Sequence, residues 1–206
     1  SQFIKFDIDG YIIPKNDEFF SEHTQKDRLK FITNFSGSAG YAIILKNKNY
    51  LFVDGRYTIQ AQIESKKNFS IIEYNKILNC KLFKSLKLGI DPKLFTSNQV
   101  KNYFLKNNQI QIIEENLVDK ISKSYQDFSR PFFSLSQKIV GEKFEKKFSK
   151  IIKYLKTKKT HCMFISAPEN VAWLLNIRGY DNPNSPIPNC QLFVDSKKKF
   201  YLICKK

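Results

Sequence analysis

The sequence predicts an α/β fold, a mixed β-sheet flanked by helices, present twice with the second copy incomplete. Three observations carry this. Runs rich in β-branched and aromatic residues alternate with segments of helical period along most of the 206 residues. Gly141–Lys158 reads as one long amphipathic helix, with Phe144, Phe148, Ile151, Ile152 and Leu155 at i, i+3, i+4 spacing and lysines on the opposite face. The order of elements also recurs at an offset of about 150 residues.

Taken in order, Gly10–Ile13 is a strand stopped by Pro14, Asp17–His23 is irregular, and Asp27–Thr33 is a short helix with an acidic start. Gly37-Ser38-Ala39-Gly40 is a small-residue turn. Lacking P-loop and dinucleotide spacing, it points to close packing of elements rather than to phosphate binding. Tyr41–Leu45 and Tyr50–Val53 form a hairpin around Lys46-Asn47-Lys48-Asn49. Tyr57–Ser65 is helical, with Ile59 and Ile63 at i, i+4. Strands at Phe69–Glu73, Lys87–Asp91 and Ile110–Ile113 follow. Between the last two, a helix capped by Ser97 runs to Lys106 and buries Val100, Phe104 and Leu105. Leu117–Tyr125 is a short helix.

The pattern breaks around Phe128-Ser129-Arg130-Pro131, which divides a first domain, residues 1–130, from the start of a second, residues 131–206. Beyond it lie strands at Cys162–Ile165, Gln191–Val194 and Phe200–Cys204, with a helix at Glu169–Asn176. Gly10–Ile13 thus parallels Cys162–Ile165, Phe31–Gly37 parallels Trp173–Gly179, and the hairpin strands parallel Gln191–Asp195 and Phe200–Cys204. A half-copy leaves a sheet edge and an apolar face uncovered, so the chain is expected to be part of a longer protein.

Composition narrows the class. Hydrophobic residues make up 42% of the chain, enough for a packed core, and no apolar run reaches the length of a membrane helix. No signal peptide is visible, which places the protein in the cytoplasm. Cys80, Cys162, Cys190 and Cys204 form no CxxC pair and read as buried free thiols. The net charge of +16 raises nucleic-acid binding. However, only Arg28, Arg56, Arg130 and Arg178 are arginines, and scattered lysine reads bases poorly. The clusters Lys143–Lys159 and Lys197–Lys206 read as solvated faces.

No self-sufficient catalytic centre is evident. His23 and His161 are the two histidines, and neither belongs to a zinc-spaced cluster or faces an obvious cysteine nucleophile. His161, ahead of a buried strand, reads as structural. His23 sits beside Glu22 in a loop compatible with a cleft. In Asp54-Gly55-Arg56-Tyr57 the arginine stands at a helix start, where the dipole disfavours a cation. It is either paired with Asp54 or Glu22, or turned toward substrate. Asn176, Arg178 and Asp181 form a second polar group after an apolar helix that Gly179 closes in a left-handed conformation. Trp173 reads as core. The rigid loop Asn182-Pro183-Asn184-Ser185-Pro186-Ile187-Pro188 carries three X-Pro bonds, any of which could be cis.

The motifs themselves resemble those of a known family. Asp9-Gly10-Tyr11-Ile12-Ile13-Pro14 with Ser21-Glu22-His23, Phe35-Ser36-Gly37-Ser38-Ala39-Gly40, Asp54-Gly55-Arg56-Tyr57 with Gln60-Ala61, and Asn170–Gly179 with Asp181 occur in one order. That order is similar to the N-terminal, creatinase/prolidase-like part of the three-domain Xaa-Pro aminopeptidases. The resemblance implies a C-terminal catalytic domain, absent here, that holds two divalent metal ions, usually manganese, for hydrolysis of the bond before a proline in second position. It implies no cofactor in this chain, proline-containing peptides as substrates, and a homodimer without membrane or nucleic-acid partners. It further implies that this part gates access and supports assembly, with Arg56, Asp54 and His23 toward substrate. Asn176, Arg178, Asp181 and the proline-rich loop then face the cleft. A non-catalytic scaffold and a lysine-rich nucleic-acid-binding protein are the alternatives.

Overall fold

The structure, a computed structural model, describes residues 2–21, 26–79, 83–122, 130–182 and 184–204. The chain forms two units, Ser1–Tyr125 and Gln126–Lys206.

In the first unit a short helix α1 (Gln2–Lys5) precedes the strand β1 (Gly10–Pro14), and helix α2 (Arg28–Thr33) leads to the hairpin β2 (Gly40–Leu45) and β3 (Asn49–Val53). The Asp27 side chain caps α2 by accepting from the Lys30 N–H, and Asn34 ends it at φ 61°. A single 3-10 turn, Gly55–Tyr57, opens helix α3 (Thr58–Ser65), followed by β4 (Ser70–Glu73) and β5 (Lys87–Ile90). Helix α4 (Ser97–Gln99), β6 (Gln109–Ile112) and α5 (Leu117–Ile121) complete the unit.

The sheet order is β4-β3-β2-β1-β5-β6, mixed: β1–β2 and β2–β3 are antiparallel, and β3–β4, β1–β5 and β5–β6 are parallel. Both faces are covered, which is why β1 is buried at every position. Tyr11, Ile13, Ala42, Leu51 and Val53 pack on one side with Leu29, Phe35 and Ala61. Ile12, Tyr41, Ile43, Tyr50 and Phe52 pack on the other with Leu94, Phe95 and Phe104. Pro14 lies inside the ladder, opposite Tyr41, rather than beyond it.

The facing of α3 does not follow from its spacing alone, and two expectations for the helix after β5 are corrected. Ile59 and Ile63 point to solvent, 72% and 71% exposed, because α3 rests on the sheet through the small Ala61 and Ser65. The helix after β5 is capped by Thr96 in a capping box with Gln99, not by Ser97. It then widens into a π-helical segment, Val100–Leu105, which buries Phe104 fully but turns Leu105 outward.

The second unit starts with β7 (Phe133–Ser134), helix α6 (Gln137–Val140) and helix α7 (Phe144–Thr157). The long amphipathic helix expected from Gly141 to Lys158 is α7, which starts at Phe144 because Gly141, at φ +72°, instead ends the short α6 before it. β8 (Cys162–Ile165), α8 (Pro168–Leu175), β9 (Ile177–Arg178), β10 (Cys190–Asp195) and β11 (Phe200–Cys204) follow. β7 pairs with β9, and an antiparallel sheet runs β11-β10-β8. Ile152 and Leu155 of α7 and Val171 and Leu174 of α8 cover one face of it, against Cys190, Leu192 and Val194.

This sheet repeats β3-β2-β1 in order and direction. In both units a helix crosses from the first strand to the second and ends on a left-handed asparagine, Asn34 or Asn176. Asn176 at φ 57° thus closes α8, the role expected of Gly179. Gly179 answers to packing instead: a Cβ there would lie 2.7 Å from Cβ of Pro188. β8 lies half open to solvent, so Cys162 and His161 are exposed rather than set at a buried strand. Trp173, expected in the core, is 56% exposed. No cis peptide bond occurs among the described residues.

Candidate functional site

The Phe35–Gly40 and Asp54–Tyr57 blocks of the first unit meet at one end of the β2–β3 hairpin, where Gly40 pairs with Val53. The Gly37–Gly40 turn runs tight against its surroundings: a Cβ on Gly37 would come within 2.2 Å of the Phe35 ring, and one on Gly40 within 2.7 Å of the Phe52 carbonyl oxygen. Small residues here permit backbone contact, as the sequence suggests. Around this turn α3 forms a polar clamp. The Ser36 N–H and hydroxyl each donate to the Glu64 carboxylate at 2.7 Å, and Gln60 Nε2 donates to Ser36 Oγ at 2.9 Å and to Glu64 at 3.0 Å. Burial opposes the Glu64 charge, but the Ser36 donors and Gln60 outweigh it and hold the carboxyl below its usual range. Ser38 Oγ lies 3.0 Å from the Tyr57 hydroxyl, and the Tyr57 ring meets Phe35 edge-on.

Asp54 ends β3 and caps the 3-10 turn by accepting the Arg56 N–H at 3.0 Å. The same carboxylate accepts Arg56 Nε at 2.8 Å and Nη2 at 3.3 Å, a two-point contact. The Arg56 guanidinium, then its N–H, hold the Asp54 carboxyl below the usual carboxylate range. Arg56 lies over the Tyr57 ring at 5.5 Å and is 75% exposed. The structure therefore joins Asp54 and Arg56 into one surface unit: an oriented guanidinium on a rigid turn, able to bind a carboxylate or carbonyl. His23 and Glu22 lie outside the described residues.

In the second unit Asn176 and Arg178 surround the end of α8. Asn176 Nδ2 donates to the Glu142 carbonyl at 3.1 Å, and its Oδ1 accepts Lys147 Nζ at 2.6 Å. Lys147 also donates to the Trp173 carbonyl at 2.7 Å and lies 4.2 Å from the centre of the Trp173 ring. It is 3% exposed, so the lysine face of α7 is not wholly solvated. Desolvation lowers the Lys147 pKa, with nearby Glu142 opposing. Arg178 Nη1 donates to the carbonyls of Ile177 at 2.8 Å and Ala172 at 3.3 Å. Asp181 serves a different place: it accepts the Asn189 N–H at 2.7 Å and ties down the proline-rich loop.

Two groups escape sequence reasoning. Lys147 hides in a lysine-rich helix. Arg28, 1% exposed, donates from Nε and Nη2 to Asp119 at 2.7 and 2.8 Å and from Nη2 to Glu18 at 2.7 Å, pinning α2 to α5. Its partner lies 91 residues away, beyond any local pattern. Gln60 and Glu64 at i, i+4 were a readable signal for the clamp. Among the described residues no group of three or more His, Cys, Asp or Glu is placed to hold a metal ion.

A clamped small-residue turn, an oriented surface arginine and a repeated β-α-β-β unit define the type of α/β domain. The chain belongs to the creatinase/prolidase N-terminal domain family, one model of which matches residues 5–118 and a second residues 123–206. Within it the similarity is to Xaa-Pro aminopeptidases. A probable Xaa-Pro aminopeptidase P of Coprinopsis cinerea is 31% identical over 199 residues, covering 89% of this chain and 32% of the relative. Xaa-Pro aminopeptidase 1 of Dictyostelium discoideum is 30% identical over 214 residues, covering 93% of this chain and 34% of its own. The X-prolyl aminopeptidase of Caenorhabditis elegans, a cytosolic enzyme with a di-nuclear active site, superposes with a TM-score of 0.86 at 26% identity. That match covers 97% of this chain and 35% of the other. The chain spans about a third of the length of the relatives it matches.

Proposed function

We propose that this chain is the N-terminal portion of a metal-dependent Xaa-Pro aminopeptidase, which releases the first residue of peptides with proline in second position. The observation that carries the reading is the superposition of nearly the whole chain on about a third of an X-prolyl aminopeptidase, joined to the match of both units to creatinase/prolidase N-terminal domain models. In this reading residues 1–130 are a complete first domain and residues 131–206 the first half of a second. The metal chemistry belongs to a catalytic domain outside this chain, with two divalent ions, manganese by preference. The two domains limit substrate access and support a cytoplasmic homodimer, without nucleic-acid or membrane partners. Arg56, oriented by Asp54, contacts substrate together with His23, while Asn176, Arg178 and Asp181 shape the side of the cleft.

The test compares the 206-residue chain with the complete protein on Xaa-Pro peptides in the presence of manganese. The complete protein should cleave and this chain should not. Turnover by the short chain that survives repurification with chelator, or a complete protein inactive on every Xaa-Pro peptide, overturns the proposal.

A further inference from the structure

β10 and β11 are antiparallel neighbours, and their register sets Cys190 directly opposite Cys204. Opposed residues in such a ladder have Cα atoms about 4.5 or about 5.5 Å apart. Both spacings fall within the roughly 4.4–6.8 Å that a disulfide spans. The two side chains share a face: Cys190 is fully buried in the core beneath α7 and α8, and Cys204 packs against the same cluster. Both are free thiols, and they differ in access, Cys204 being partly open at the end of its strand. Burial, then Cys204 and Asp181, push the Cys190 thiol up to about 12. Cys162 is the internal contrast, because its register partner is Asp195 and it is exposed on the outward face of the sheet.

We propose that Cys190 and Cys204 are an oxidisable cross-strand dithiol, which hydrogen peroxide closes into a disulfide that staples β11 to the sheet. Cys204, the accessible member, reacts first. Its thiolate sulfur attacks one peroxide oxygen, the O–O bond breaks, and the departing hydroxide takes up a proton as water. The Cys190 sulfur then attacks the resulting sulfenic acid. The S–S bond forms, the S–O bond breaks, and hydroxide leaves with the Cys190 proton as a second water. Two thiols are oxidised, and one peroxide is reduced to two waters. The bond closes the loop that contains the β10–β11 turn, and restricting that loop in the unfolded chain favours the folded one.

The experiment treats the folded 206-residue chain with hydrogen peroxide, blocks remaining thiols by alkylation and maps peptides without reduction. A Cys190–Cys204 peptide pair is expected, together with a rise in melting temperature on the order of 10 °C that dithiothreitol reverses. C204S abolishes both effects, and C162S leaves both intact. In C190S, dimedone should trap a sulfenic acid at Cys204. Recovery of Cys190 and Cys204 as separate thiols or acids, under peroxide that has oxidised Cys162, overturns the proposal. Pairings with Cys80 or Cys162 as frequent as in urea overturn it too, and a linked chain that melts no higher refutes the staple.

Discussion

Replacing Arg28 with methionine keeps an unbranched side chain of similar reach and removes a guanidinium that is 1% exposed. Three charge-assisted hydrogen bonds, two to Asp119 and one to Glu18, disappear with it. Breaking a buried pair from one side costs about 3–5 kcal/mol when the partner charge stays buried. Here the Asp119 and Glu18 side chains retain 34% and 30% of their exposure, so water can re-solvate them and the loss falls to about 2–3 kcal/mol. At about 4 °C per kcal/mol for a unit of this size, the melting temperature should fall by about 10 °C. Urea and thermal unfolding followed by circular dichroism at pH 7 measure both quantities.

The acid limb adds a second readout. Burial raises the Glu18 pKa, but the hydrogen bond and charge of Arg28 outweigh it and hold the carboxyl below its ordinary 4.5. A depressed folded-state pKa contributes stability that is complete above that ordinary value and is lost as pH falls through the lowered one. The gap between the wild type and Arg28→Met should therefore narrow below about pH 4.5. A variant melting within about 1 °C of wild type at pH 7 would refute the anchoring role, and so would a gap that stays constant into acid.

Two further predictions follow from the sites. Arg56→Ala in the complete protein should lower kcat/KM on Xaa-Pro peptides by about 10- to 100-fold with little change in melting temperature, since the residue is 75% exposed. Unchanged kinetics with a clear loss of stability would assign the arginine to Asp54 alone. Lys147→Met removes donors to the Trp173 carbonyl and to Asn176 and should destabilise the chain by about 1–3 kcal/mol. It should also shift the emission of Trp173, the chain's one tryptophan, and an unchanged spectrum would show that the ammonium does not lie over the indole.

Strands and their order were readable because β-branched and aromatic runs bounded by proline, glycine and asparagine leave few alternatives. Cys162–Ile165 and Phe200–Cys204 end where their composition changes. Facing was less readable. Ile59 and Ile63 share a helical face, but Ala61 lets α3 approach the sheet on the other side, and no periodicity argument ranks one small residue above two isoleucines. Gly141, read as the start of the long helix, ended the short one before it, and Asn176 took the left-handed position that the nearby Gly179 invited. At the candidate site the motif residues and the local Asp54–Arg56 pair could be named, whereas the joints between distant segments could not. The Ser36–Glu64 and Arg28–Asp119 contacts span 28 and 91 residues and depend on how helices settle on the sheet.

The open side of the second sheet gives the lysine excess a physical role. Phe164, Phe193 and Tyr201 align across β8, β10 and β11, Phe164 and Tyr201 more than half exposed, and β8 and β11 are the outer strands of that sheet. In the first unit the matching outer positions on β1 and β3 carry parallel neighbours, β5 and β4. Backbone groups along an outer strand will pair with any strand presented to them, and an aromatic row beside them strengthens the attachment. The net charge of +16 opposes this, because each approaching copy must be brought against like charge. That repulsion acts over about 10 Å at 0.1 M salt and about 3 Å at 1 M. Ionic strength thus sets the colloidal lifetime of this chain: dilute buffer keeps copies apart, and concentrated salt removes the barrier without altering the fold.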